Sequence, residues 1–186
     1  MGEMKSAFER AWERAEKLGE LTKEEMERER EKELLPIGKS LSDSFLSHGD
    51  IRVIEDTLDK YEDKDRRIIR RGFILSLLDE IKPESEKSRK AMEGILLLME
   101  DKKEEIEELE KILLDFEEEK GRLFKKLRDE IEAEGRDILH QLRISGSAIS
   151  KFNINRSSVW REALLSLHQD YEARMEGIKG RIREGI

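Results

Sequence analysis

No cysteine occurs in the 186 residues, which excludes disulfides, thiolate metal ligands and cysteine nucleophiles. Prolines number two and aromatics 5%, so breaks in helix are few and a thick core has little to fill it. The longest apolar run, Ile95–Met99, is five residues, against ~20 for a membrane span. The opening, Met1 to Arg14, is amphipathic and carries acids, unlike a secretory leader. A reducing cytosol is the expected compartment.

What the chain does have is charge: 44% of its residues, against 36% hydrophobic. Such a balance suits helices that each bury one narrow stripe and expose the rest. Disorder is the rival reading of so polar a chain, but periodic apolar positions and scarce proline argue against it. Abundant Glu, Lys and Arg without Cys also fits a thermophile, and a solvated coiled coil gives the same numbers. The net charge of −8 disfavours general nucleic-acid binding. Between Glu100 and Glu119 there are 11 acids and 3 bases, so the rest of the chain is near neutral and has room for a local basic patch.

Helical spacing recurs along the chain. Phe8, Ala11, Trp12, Ala15 and Leu18 precede Gly19, a C-terminal cap. Thr22 and Glu25 form a capping box, with Leu21 and Met26 as its staple. Pro36 is expected to end that helix, leaving Pro36–Asp50 as a loop. Asp50 is the expected N-cap for Ile51, Ile54, Leu58 and Tyr61, and the polar run Glu62–Arg67 the expected interruption. Ile68, Ile69, Phe73, Leu77, Leu78 and Ile81 continue the pattern as far as Pro83.

The strongest signal follows. Steps of three and four connect Met92, Ile95, Met99, Lys102, Ile106, Leu109, Leu113, Phe116, Lys120, Leu123 and Leu127; nine of these eleven are apolar. This is a coiled-coil seam of five heptads. Past Leu127 the stripe moves to Ile131, Ile138 and Leu142, a stutter that unwinds a supercoil. One helix from about Glu84 to Arg143 would be ~90 Å long, weakest at Gly94, Gly121 and Gly135. Ile144–Arg156 breaks the pattern. Ser157 or Ser158 then caps a last helix carrying Trp160, Leu164, Leu167, Tyr171, Met175, Ile178 and Ile182. The short connection permits only an antiparallel return.

Chemical motifs are sparse. Gly38-Lys39-Ser40 resembles the end of a phosphate loop, but Glu33 stands where the first glycine is required. Asp137, His140, His168 and Glu172 can meet if the two last helices pair, yet Ile138, Leu142, Leu164 and Leu167 occupy the neighbouring inward positions. Arg66, Arg67, Arg70 and Arg71 form a basic face, suited to phosphates, to an acidic partner, or to the acids of Glu100–Glu119 in the same or a second chain. Lys102 and Lys120 in the seam either set register or mark where it is solvated. Lys151, Asn153, Asn155 and Arg156, near a helix start, offer an anion site, a short β-hairpin tip or a structured turn. The sequon Asn155-Arg156-Ser157 has no meaning without secretion. There is no nucleophile elbow and no His-Glu metal motif.

The segments Met4-Lys5-Ser6-Ala7-Phe8-Glu9, Ala15-Glu16-Lys17-Leu18-Gly19 and Leu21-Thr22, with Ile144-Ser145-Gly146-Ser147-Ala148-Ile149, resemble small helical prokaryotic proteins of unknown function. The resemblance implies a prokaryotic cytosolic origin and no particular activity.

The expected fold is all-α: a long coiled-coil helix with an antiparallel helical hairpin or bundle, and a flexible helical N-terminal region. Residues 1–49 are the expected arm and linker, and residues 50–186 the bundle. The expected function is a non-enzymatic interaction or scaffold protein without cofactor, most simply a homodimer held by Ile106, Leu109, Leu113 and Phe116. A nucleic-acid- or ribosome-associated factor using Arg66–Arg71 with Lys151 and Arg156 is the second reading. A metal-dependent helical-bundle enzyme is the third.

Overall fold

The computed structural model describes residues 23–143 and 154–186. Among these there are only helices and their connections: α1 (Lys23–His48), α2 (Ile51–Leu58), α3 (Asp63–Glu80), α4 (Ser88–Leu98), α5 (Lys103–Gln141) and α6 (Ser158–Arg183), with 3-10 turns at Glu100–Lys102 and Ile154–Arg156. The fold is all-α with one long helix, as the sequence predicts. The chain divides into two units, up to Ser76 and from Leu77 onward, the boundary falling inside α3. The segment Phe8–Gly19, Leu21 and Thr22, and the Ile144–Ile149 stretch lie outside the described residues.

In the first unit Pro36 does not end its helix. α1 runs through it to His48, so the expected loop at Pro36–Asp50 is wrong as far as His48. The reason is tertiary. Leu34, Gly38, Leu41, Ser42 and Phe45 share one buried stripe at steps of three and four, and packing along it outweighs the lost Pro36 hydrogen bond. α3 crosses this stripe closely. A methyl group on Gly38 would sit 2.6 Å from the Phe73 amide nitrogen and closer still to the Ile69 carbonyl; one on Gly72 would sit 2.6 Å from the Leu35 carbonyl oxygen. The glycine of the supposed phosphate loop is therefore a helix-crossing glycine. Phe45 meets Phe73 edge-on at 5.9 Å. Arg30 donates two hydrogen bonds, of 2.5 and 2.7 Å, to the buried Asp65. Gly49, at φ 74, terminates α1, and Asp50 caps α2 by accepting from the Arg52 amide at 3.0 Å.

In the second unit the single helix expected from Glu84 to Arg143 is two helices. Met99 leaves helical geometry at φ −139, ψ 70, and a 3-10 turn follows. α4 then lies back along α5: Glu84 bonds Lys120, and Met92 and Leu113 line one groove. In a continuous helix, residues 92 and 113 would be ~30 Å apart. The heptad pattern survives the corner because both arms bury the same stripe against each other. Acids at Glu104 and Glu105 favour a new helix start there.

α6 returns antiparallel to α5, as expected. Trp160 meets Phe124 at 5.1 Å, Tyr171 meets Phe116 at 5.4 Å, Arg181 bonds Glu108, and the backbone at Gly185 lies beside Met99 and Lys102. Phe116, Leu167 and Tyr171 form a buried cluster with Ile112, Leu123 and Leu164 against it.

Gly38→Ala and Gly72→Ala should each destabilise the protein by about 2–4 kcal/mol, because the added carbon meets backbone that cannot turn aside. Urea unfolding followed by circular dichroism checks this. Gly121→Ala, with open space around it, should be neutral or slightly stabilising.

Candidate functional site

The three helices of the second unit converge on Glu84. Pro83 stops the preceding helix, and Ser88 pins the turn: its hydroxyl donates to the Lys82 carbonyl at 2.8 Å and accepts from the Lys82 amide at 3.0 Å. Glu84 then takes φ 62, a left-handed conformation that costs a non-glycine residue ~1–2 kcal/mol. The conformation persists because both carboxylate oxygens are engaged. One bonds the Lys120 ammonium from α5; the other lies 2.7 Å from His168 Nε2 on α6. Lys120 also reaches Glu117 at 3.3 Å and sits over the Phe116 ring, which packs edge-on against His168 at 4.9 Å. Glu84, Lys120 and His168 are thus a charged staple tying three helices together.

The hydrogen bond from Lys120 holds the Glu84 carboxyl below its ordinary range against partial burial, and His168 adds to the effect. Burial is the largest influence on Lys120 and lowers its pKa, but Glu84 and Glu117 together reverse this, so the net shift is upward. Nearby, Tyr171 donates a 2.6 Å hydrogen bond to Glu119, which with burial raises the phenol. Beside the staple lies a groove of about 650 Å³ lined by Glu84, Glu86, Arg89, Met92, Glu110 and Leu114, among others.

The expected seam residues are brought together, and by their own chain. Met92, Ile95, Met99, Ile106, Leu109 and Phe116 are buried, and Leu113, Leu123 and Leu127 half-buried. α4, α5 and α6 cover the stripe mutually, so Ile106, Leu109 and Phe116, expected to hold a homodimer, are buried within one chain. Lys102 pairs with Glu105 at 3.0 Å and Lys120 with Glu84, so the two seam lysines sit at the ends of the packed stretch.

The arginine face is not assembled as expected. Arg66 donates to the Leu58 and Tyr61 carbonyls at 3.1 and 3.3 Å, capping the end of α2. Arg71 pairs with Glu31 at 3.3 Å. The partners of both are near the arginines in the fold and not in Glu100–Glu119. Arg67 is exposed and Arg70 half-buried. Arg156 is exposed on its 3-10 turn, whereas Lys151 and Asn153 lie outside the described residues. His168 is engaged by Glu84 while Asp137 and His140 are exposed far along α5. Among the described residues no group of three or more acids and histidines is placed to hold a metal ion. Nor is any helix among them long and apolar enough to cross a membrane.

Sequence reasoning missed the staple. Its one signal was Lys120 at a seam position, which needs a nearby acid; the acid is 36 residues away and shares no pattern with it.

Because the Glu84 carboxyl is depressed, the stability it contributes is present above its ordinary value of 4.5 and is lost as pH falls through the lower folded value. Denaturation midpoints should therefore decline below about pH 4.5, and Glu84→Gln should flatten that decline while lowering stability at neutral pH. Glu84→Gly relieves the backbone strain but loses the same acid limb, so the two variants separate strain from charge.

Comparison with known proteins adds one finding. Residues 55–184 match DUF6657, a family of unknown function. No curated protein matches the chain, and no solved structure does. The matched span contains Glu84, Lys120 and His168 along with the whole stripe from Met92 to Leu127, and covers well over half of the sequence, so this helical chain belongs to the DUF6657 family.

Proposed function

We propose that this is a non-enzymatic protein-interaction or scaffold protein of the cytosol, working as a two-fold homodimer through the outer part of α5. The observation that carries the reading is the apolar stripe beyond the packed hairpin. Trp160, near the start of α6, faces Phe124. α5 continues for 17 more residues to Gln141, ~25 Å. Along that arm Leu127, Ile131, Ile138 and Leu142 recur at steps of four, seven and four. Ile138 and Leu142 are 56% and 63% exposed, at the arm's far end. The stripe is the stutter-shifted continuation of the seam, so a second copy of α5 offers it a matching face in coiled-coil fashion. A two-fold pairing closes on itself and leaves no further sticky surface.

Catalysis has little to support it. The titratable groups at the staple are saturated by one another, and the groove beside it presents charged side chains on a wide, open surface. Nucleic-acid binding loses support for a similar reason: Arg66 and Arg71 are engaged within the fold, and the charge of the chain is −8.

Light scattering on the full chain should give twice the chain mass. Ile138→Asp with Leu142→Asp should give the single mass with helicity kept. A wild-type chain of single mass at tens of micromolar would sink the dimer. A dimer untouched by the double variant would move its interface elsewhere.

A further inference from the structure

Charge along α5 inverts abruptly beside its outer arm. Residues 122–128 hold Arg122, Lys125, Lys126 and Arg128 and no acid; residues 129–134 hold Asp129, Glu130, Glu132 and Glu134 and no base. All of these except the half-buried Glu132 are exposed. Within the helix the two blocks touch at their junction, through Arg128 with Asp129 at 3.1 Å, Lys126 with Glu130 at 3.9 Å and Arg128 with Glu132 at 4.0 Å. Ion pairs so exposed contribute little. Lys125 has no ion pair among the described residues. A parallel second helix in register would set base against base and acid against acid. An antiparallel one centred on Arg128 sets each block against its opposite.

A second pattern has the same centre. Leu114, Gly121, Arg128, Gly135 and Leu142 follow one another at seven-residue intervals, so they form one row along the helix, with Leu142 as its C-terminal cap. The row reads alike from either end. Its two leucines are 65% and 63% exposed, and Gly121 has open space around it. Leu114 also lines the groove beside the staple, together with Met92 and Leu113.

We propose that this groove, between α4 and α5, is the docking site for the arm of a second copy of the chain, with the two α5 helices antiparallel and their two-fold axis at Arg128. The assignment rests on the homodimer reading and gives it an orientation and a register. With that centre, Leu142 of each copy lies level with Leu114 of the other, and Gly121 with Gly135, where no side chain holds the helices apart. Lys125 and Glu132 share one flank of the row. Phe124, Ile131 and Ile138 share the other, the flank on which Glu117 borders the groove. Antiparallel pairing brings like flanks together, so opposite charges meet on one side and apolar groups on the other. Ile138 and Leu142, the exposed apolar side chains of the arm, both turn toward the groove of the other copy.

The chain has no cysteine, so single introduced cysteines report the pairing. Leu114→Cys and Leu142→Cys, both at exposed positions, are unfolded, mixed, refolded together and oxidised. The mixture should give a disulfide-linked species of twice the chain mass on a non-reducing gel. Neither variant alone should, because equivalent ends of the row then lie ~42 Å apart. Lys125→Glu should weaken self-association roughly fivefold or more in sedimentation against concentration, and adding Glu132→Lys should restore it. Self-linking of Leu142→Cys, or no link in the mixture when the wild-type mass is doubled, overturns the register and leaves the dimer standing. A double charge variant no tighter than Lys125→Glu also overturns it. A wild-type chain of single mass removes both.

Discussion

The stripe that begins at Met92 must be shielded from water, and the corner at Met99–Lys102 lets one half of it shield the other. Each fully buried Ile, Leu, Met or Phe along it contributes roughly 1.5–3 kcal/mol, and Met92, Ile95, Ile106, Leu109 and Phe116 are all nearly or wholly buried. α6 closes the remaining side through Leu167, Tyr171 and Met175. Once the corner is made, the positions of Glu84, Lys120 and His168 follow, since α4 is carried back to the level of Lys120 and α6 passes the same level on its return. The left-handed Glu84 is the local strain that the three-way junction sustains.

The same constraint explains where polar side chains gather. Lys102 and Lys120 bracket the packed stretch, each with an acid, so the seam is dry between them and wet beyond. Past Lys120 the chain relies on half-buried Leu123 and Leu127, on the Phe124–Trp160 contact and on the turn carrying buried Ile154, and only near its far end does α5 expose large apolar side chains, Ile138 and Leu142. The thermodynamic tension between a helix that remains amphipathic and a partner helix that has ended is what makes the arm a candidate for contact with another molecule. The first unit solves the parallel problem differently: it brings backbones together at Gly38 and Gly72, with Phe45, Ile69 and Phe73 buried at the crossing.

Charge is distributed in a manner that keeps most acids solvated while spending a few on specific tasks. Glu84 binds two helices, Glu119 orients Tyr171, Glu108 receives Arg181 across the hairpin, and Asp65 anchors Arg30. Lys179 is the exception among these groups: a buried stem whose local acids are already occupied by Arg183.

By itself the sequence determined the class of fold, the N-cap at Asp50, the break before Pro83, which positions of the apolar stripe are buried and the antiparallel return of the last helix, because each follows from spacing within a few residues or from the length of one connection. Periodicity cannot register a reversal of direction that leaves the stripe in phase, so the corner at Met99 and the doubling back of α4 were decided by tertiary packing. The same holds for Pro36, where a buried stripe on both sides overrode a local breaker, and for Glu84, Lys120 and His168, whose partnership links positions 36 and 84 residues apart. Local signals act through neighbouring backbone; partnerships across the bundle exist only when the helices are already in place.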